Sequence, residues 1–192
     1  MKTGKIVAVC TSPSEGVPKY PQDQVVVADH GFQGDYHCKP MRRSASNPGT
    51  EKPNTDRHIT IVAKEAVDAV NQKLGLQLGI GALGENILTE GLGDLSEIIP
   101  YTEIVIRSAV MLVVVGQNQP CENLVPYHPQ FVREIHGRRG LLCAVTNGID
   151  VVIKPDDNIM LMSPSCDQCG NTMTQGRTCW KCENCGNTLG CE

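Results

Sequence analysis

The sequence predicts a mainly β (α+β) fold: a closed or nearly closed β-barrel with one clear helix and short helical connections, followed by a small zinc ribbon. Three observations predict it. Short apolar runs bounded by turn residues recur along the first 163 residues, the pattern of buried strands. Only one segment has a clear helical period, so the strict strand–helix alternation of a doubly wound sheet is missing. Six of the ten cysteines lie beyond Ser165, which sets the C-terminal part off as a module of its own. The predicted division is 1–163 for the barrel and 164–192 for the ribbon.

Residues 5–11 read as the first strand, closed by Ser12 and Pro13. Residues 24–28 are the second, and the two glycines of 29–37 require a tight turn with backbone at φ > 0. Residues 39–55 carry three prolines, a net positive charge and no apolar period. They read as a long mobile loop, either a functional lid or disorder. Residues 57–62 resume strand character. Ala63, Ala66, Val67, Val70 and Leu74 then fall at helical spacing, with Gly75 as the C-terminal cap. A glycine-dense turn over 79–89 leads into a short strand. Residues 102–107 and 110–115 read as paired strands around Ser108 and Ala109, and 122–136 as one or two short helices. Residues 140–146 and 157–162 close the set, with a turn at Asn147 and Gly148 between them.

Composition narrows the function. The chain is 40% hydrophobic and 20% charged, an ordinary globular balance. Aromatics are only 4%, so the core is built from Val, Ile and Leu, which favours β structure. A net charge of −4 argues against a general polyanion binder and so against nucleic acid as a partner. No apolar stretch reaches about 18 residues, so no transmembrane helix is expected. The first residues lack the apolar core of a signal peptide, and the expected location is the cytoplasm.

The C-terminal cysteines form two knuckles, Cys166-Asp-Gln-Cys169-Gly170 and Cys182-Glu-Asn-Cys185-Gly186. A glycine after the second cysteine lets backbone amides turn towards the sulfurs, and paired knuckles supply four thiolates in tetrahedral array. That is a structural Zn²⁺ site, with a redox dithiol or an iron–sulfur cluster as alternatives. Cys179 and Cys191 are left over, although Cys179 could replace Cys182 as a ligand. The scatter of the remaining cysteines indicates a reducing compartment. The segment resembles the C-terminal zinc ribbon of adenosylcobalamin-dependent ribonucleotide reductases, through its knuckle, its Gly176-x-x-Cys179-x-x-Cys182-x-x-Cys185-Gly186 run and its trailing cysteine. That resemblance implies that Cys179 and Cys191 carry reducing equivalents; a purely structural ribbon is the other reading. Its slightly acidic balance disfavours a nucleic-acid role.

In the barrel, an apolar run from Val110 ends at Gly116, and Pro120 stiffens the backbone immediately before Cys121. Cys121 is thus either a thiolate ligand or nucleophile at a strand rim or a half-buried loop cysteine. His30, His37 and Cys38 fit no strong metal-site template. Cys10 and Cys143 lie in apolar strands and read as inert core residues.

Six separated motifs, in order, resemble those of the MOSC domain, named for the C-terminal part of molybdenum-cofactor sulfurases. Gly31-Phe-Gln-Gly-Asp-Tyr-His37 looks like the family's Gly-x-x-Gly-Asp-x-His turn, and Arg57-His-Ile-Thr-Ile-Val62 like its Arg-x-Val-Ser-Leu strand. Gly84-Glu85-Asn86, Pro120-Cys121, Gly137-Arg-Arg-Gly140 and Asn147-Gly148 match four further elements. The resemblance implies a β-barrel that binds the molybdenum cofactor (molybdopterin), with Cys121 as the molybdenum ligand or as a persulfide carrier. Arg57, Arg138 and Arg139 would clamp the cofactor phosphate or serve as surface charge. Glu85 and Asn86 would bind pterin edges or only their own turn. Asp35 and His37 would position substrate or a proton.

The larger relatives' accessory domains have no counterpart here, so electrons or sulfur are expected from a separate donor protein. Three functions follow. The first is a small molybdenum oxidoreductase that reduces an N-hydroxylated or related small-molecule substrate. The second is a sulfur or cofactor carrier in molybdoenzyme maturation, and the third a non-catalytic adaptor.

Overall fold

A strand turns successive side chains to opposite faces, so alternating apolar positions decide which face becomes the core. In the computed structural model, which describes residues 2–44 and 46–191, seven strands close into a ring. They are β1 (Lys2–Thr11), β2 (Ile59–Ala63), β3 (Ile87–Glu90), β4 (Glu103–Ile106), β5 (Val110–Gln117), β6 (Leu141–Asn147) and β7 (Asn158–Met162). The order around the barrel is β1-β3-β2-β6-β5-β4-β7, and β7 pairs back onto β1 with Gly4 opposite Ile159. Neighbours are antiparallel except β2 and β3, which run parallel with Ile61 opposite Ile87. Parallel strands need a crossover, and α1 (Lys64–Leu74) supplies it.

Val110, Leu112 and Val114 of β5 pack with Ile104 and Ile106 of β4, Ile159 and Leu161 of β7, and Ile6, Ile61 and Ile87. A barrel this narrow has an interior filled by side chains, so a ligand must bind at its rim. Outside the barrel, Val67 and Val70 of α1 are buried beside Val62, Leu88, Phe131 and Ile135. The helix ends where the spacing predicts. Gly75 takes the left-handed conformation (φ 66°) and its N–H reaches Asn71 O.

The structure corrects three expectations. Residues 39–55 are not structureless: Met41–Arg43 pairs with Glu51–Pro53 in a hairpin, with Arg42 opposite Lys52. Its strands are three residues long with mostly exposed side chains, so no apolar alternation marks them. Ala45, within that stretch, lies outside the described residues. The β4–β5 turn is carried by Arg107 and Ser108, whose φ angles are 53° and 58°, rather than by Ser108 and Ala109. Cys179, offered as an alternative ligand to Cys182, is instead bonded to Cys191, the pairing that a redox-active dithiol takes when oxidised.

Beyond the barrel, Thr174–Gln175, Trp180–Lys181 and Thr188–Leu189 form a three-stranded sheet. Trp180 is buried with Cys166, Met173 and Cys182 against Ile99, and its indole N–H donates to Pro100 O at 2.9 Å. Among the described residues no helix is long and apolar enough to cross a membrane.

Candidate functional site

The ends of β1, β2, β3, β5 and β6 lie around one cleft of about 440 Å³, which Arg42, Arg43 and Glu51 of the paired Met41–Arg43 and Glu51–Pro53 strands also line. Cys121 stands on its wall. The β5 ladder ends as Asn118 N–H donates to Gly140 O at 2.8 Å, and Pro120 then carries the chain out of the sheet. The thiol is exposed. Arg139 approaches it from the turn before β6, with Nη1 donating to Cys121 Sγ at 3.3 Å and to Gln119 O at 2.7 Å. Nη2 of the same guanidinium donates to Leu83 O at 3.2 Å. Gly140 makes this possible. A Cβ there would stand 2.0 Å from Ile61 O, so only glycine lets the turn carrying Arg139 lie against β2.

The structure brings His37, Arg57, Asn86, Cys121 and Arg139 to this cleft. Asp35 and Glu85 stand behind its wall instead. Asp35 accepts from the backbone N–H of Ser12 (3.2 Å) and His37 (3.0 Å) and from Asn86 Nδ2 (3.3 Å). It also pairs with Lys19 Nζ at 2.9 Å; Lys19 and Asp35 are 3% and 6% exposed. Burial lowers the Lys19 pKa, and the Asp35 carboxylate opposes that effect. Glu85, 1% exposed, accepts from Gly81 N at 2.6 Å and Leu83 N at 3.0 Å, and so fixes the turn that receives Arg139. Burial raises its pKa while those amides pull it down. Arg138 lies outside the cleft lining, exposed, 3.9 Å from Asp94.

Asn86 is a stitch as well as a lining residue. Its amide donates to Cys10 O at 3.2 Å, and its carbonyl accepts from Thr60 N and Oγ1, both at 3.1 Å. It therefore ties the ends of β1 and β2 to β3. Desolvation of its ring and then the Lys19 ammonium lower the His37 pKa, although the side chain stays exposed at the cleft. His58 receives Val145 N–H on Nδ1 and so carries its proton on Nε2, towards Asn54 O at 2.9 Å. Cys10 and Cys143 are fully buried, and burial pushes the Cys10 thiol up to about 12.

Charge gives the cleft its character. Arg42 pairs with Asp56 and Arg43 with Glu15. Among the described residues, Lys39, Arg57 and Arg139 have no carboxylate within 4 Å; Lys39 instead lies 3.8 Å above the Tyr36 ring. Among the described residues around the cleft, these three cations outnumber the one carboxylate without a cation partner, Glu51, a balance that favours an anionic ligand. Lys19, Lys39 and Arg42 escaped the sequence reading because no local pattern tells where a cation points. The positive charge of residues 39–55 was the one available signal.

The C-terminal cysteines assemble separately. Cys166, Cys169, Cys182 and Cys185 place all four Sγ atoms within 4.8 Å of one another, with Cys166–Cys185 at 3.6 Å and Cys169–Cys182 at 3.5 Å. Tetrahedral zinc with Zn–S bonds of about 2.3 Å sets S···S edges near 3.8 Å, so the cluster fits such an ion. Gly170 and Gly186 turn each knuckle at φ 73° and 79°. Cys182, not Cys179, belongs to the cluster, because Cys179 is bonded to Cys191.

A small closed β-barrel with a basic rim cleft and an exposed cysteine at a strand end defines the class. The chain belongs to the MOSC domain family, whose family model matches residues 33–160. It is 30% identical over 132 residues to YuaD of Bacillus subtilis (strain 168), covering 60% of this chain and 68% of that relative, whose description names metal-sulfur cluster biosynthesis. The YuaD crystal structure superposes with a TM-score of 0.72 at 25% identity, over 82% of this chain and 94% of YuaD. YiiM from Escherichia coli shares the fold at 17% identity, with a TM-score of 0.61 over 86% of this chain and 72% of that one.

Proposed function

We propose that the chain binds the molybdenum cofactor in the rim cleft, with Cys121 as the protein's thiolate to molybdenum. In this reading it is a small oxidoreductase that reduces N-hydroxylated or related small molecules, served by a separate electron donor protein. The observation that carries the reading is the exposed Cys121 thiol sharing one cleft with three cations that have no carboxylate partner. A soft thiolate suits a metal already held by dithiolene sulfurs, and a cationic wall suits a phosphate. Bound there, the cofactor supplies a two-electron redox centre. The chain's own residues do the rest. Arg57 and Lys39 would hold the anionic end, Arg139 fixes the Cys121 sulfur, and His37 would accept or donate a proton at the wall. Asp35, Glu85 and Asn86 hold those groups in place.

A second reading, sulfur or persulfide transfer from Cys121 in cofactor maturation, draws on the thiol's exposure and on the description of the B. subtilis relative. In either reading 1–163 is the barrel domain and 164–192 a structural zinc ribbon, similar to that of adenosylcobalamin-dependent ribonucleotide reductases. The cytoplasm is the proposed setting.

Metal and sulfur analysis of protein made in a cofactor-competent host separates these. About one molybdenum per chain, lost in Cys121→Ala, supports the oxidoreductase. Cyanide-labile sulfur on Cys121 without molybdenum supports the carrier. Zinc with neither would overturn both.

A further inference from the structure

The cysteine cluster and Cys121 are linked by a short run of contacts through the segment between β3 and β4. On one side, Trp180, buried beside Cys166 and Cys182, donates its indole N–H to Pro100 O at 2.9 Å. The residue after Cys179 and the residue before Cys191 both meet this segment: Trp180 packs near Ile99, and a Cβ on Gly190 would lie 3.0 Å from the Tyr101 ring. On the other side the segment is bound to β5. Tyr101 N–H donates to Val114 O at 2.8 Å, and Val114 N–H to Thr102 O at 2.9 Å. At the end of β5, Gln117 Nε2 donates to Leu95 O at 2.9 Å and to Ile98 O at 3.0 Å. Two residues later Gln119 O accepts from Arg139, the guanidinium that also holds the Cys121 sulfur.

Through its side chain Gln117 serves this segment. Its Nε2 serves the segment's carbonyls while its Oε1 is buried without a partner among the described residues.

We propose that the four-cysteine module is a positioning element for Cys121, acting through two positioning residues, Trp180 and Gln117. The module holds residues 98–101, and that segment in turn holds the strand end that delivers the thiol. The inference rests on the proposed function only in taking Cys121 as the working sulfur; it requires no molybdenum. A metal in the cluster stiffens the first link, because four tethered thiolates fix the sheet that carries Trp180.

The test is the alkylation rate of Cys121 by iodoacetamide, followed peptide by peptide in the full chain, with buried Cys10 and Cys143 as internal controls. Trp180→Phe keeps an aromatic ring, though a smaller one, and removes the N–H; Gln117→Met keeps the length and removes the amide. Cys169→Ser opens the metal site. In Trp180→Phe and Gln117→Met the Cys121 rate is expected to shift by about threefold or more while Cys10 and Cys143 stay unreactive. Cys169→Ser adds the metal's contribution if it folds; the other two variants decide the matter if it does not. A Cys121 rate within about threefold of native in both variants overturns the proposal. So does simultaneous exposure of Cys10 and Cys143, which would mean general loosening. Failure to find molybdenum leaves these rates unaffected, so the two readings fail separately.

Discussion

Arg139 Nη1 lies 3.3 Å from Cys121 Sγ, and the same guanidinium is pinned by the carbonyls of Gln119 and Leu83. One side chain thereby ties the β5 end, the turn before β3 and the turn before β6 into a single frame around the thiol. A planar fork can do this; a lysine ammonium, a point charge on a flexible stem, cannot hold three directions at once. Arg139→Lys is therefore expected to lower molybdenum occupancy by about tenfold or more, consistent with losing hydrogen bonds from a charged group. Elemental analysis after desalting reads the effect.

The Lys19–Asp35 pair is buried and holds the His37 turn. Removing one partner leaves an uncompensated buried charge, so Lys19→Met should cost about 3–5 kcal/mol of stability. Lys19→Met combined with Asp35→Asn should recover part of that loss. Urea denaturation of the single and double variants measures both.

Stability should also respond to acid through histidine. Burial lowers the folded-state pKa of His58, which is only 7% exposed, below 6.5. The unfolded chain then binds more protons in the window between the folded value and 6.5. The stabilisation is present above pH 6.5 and is lost as pH falls through the folded pKa value. His58→Gln should flatten that fall. Urea midpoints at a series of pH values between about 7 and 5 show it.

Trp180 is the sole tryptophan and is buried between the cysteine cluster and residues 99–100, so its fluorescence reports that module and its seat on the barrel. Chelation should release about one zinc per chain and shift the emission to the red, while far-UV dichroism of the barrel persists. A blue emission that survives complete metal loss would show that the module stands without metal.

Much of this was legible in the sequence because it is local. Buried strands need apolar runs, α1 needs its periodic face and Gly75 its left-handed cap, and Cys121 follows a strand end that Pro120 marks. What stayed hidden depends on long-range pairing. Asp35 and Glu85 look like lining residues until Lys19, Ser12 and the amides of Gly81 and Leu83 occupy their oxygens. Asn86 reaches Cys10, 76 positions away, a contact no motif encodes. The Met41–Arg43 and Glu51–Pro53 strands are short and mostly exposed, and Cys179 meets Cys191 through the pairing of Trp180 with Leu189.

The most direct measurement is molybdenum content in native protein and in Cys121→Ser, produced side by side in a cofactor-competent host. Serine keeps the shape and replaces a soft ligand by a hard one. Native protein should hold about one molybdenum per chain, and Cys121→Ser, with Trp180 emission unchanged, less than about a tenth of that. Equal molybdenum in the two proteins would contradict Cys121 as the metal's ligand.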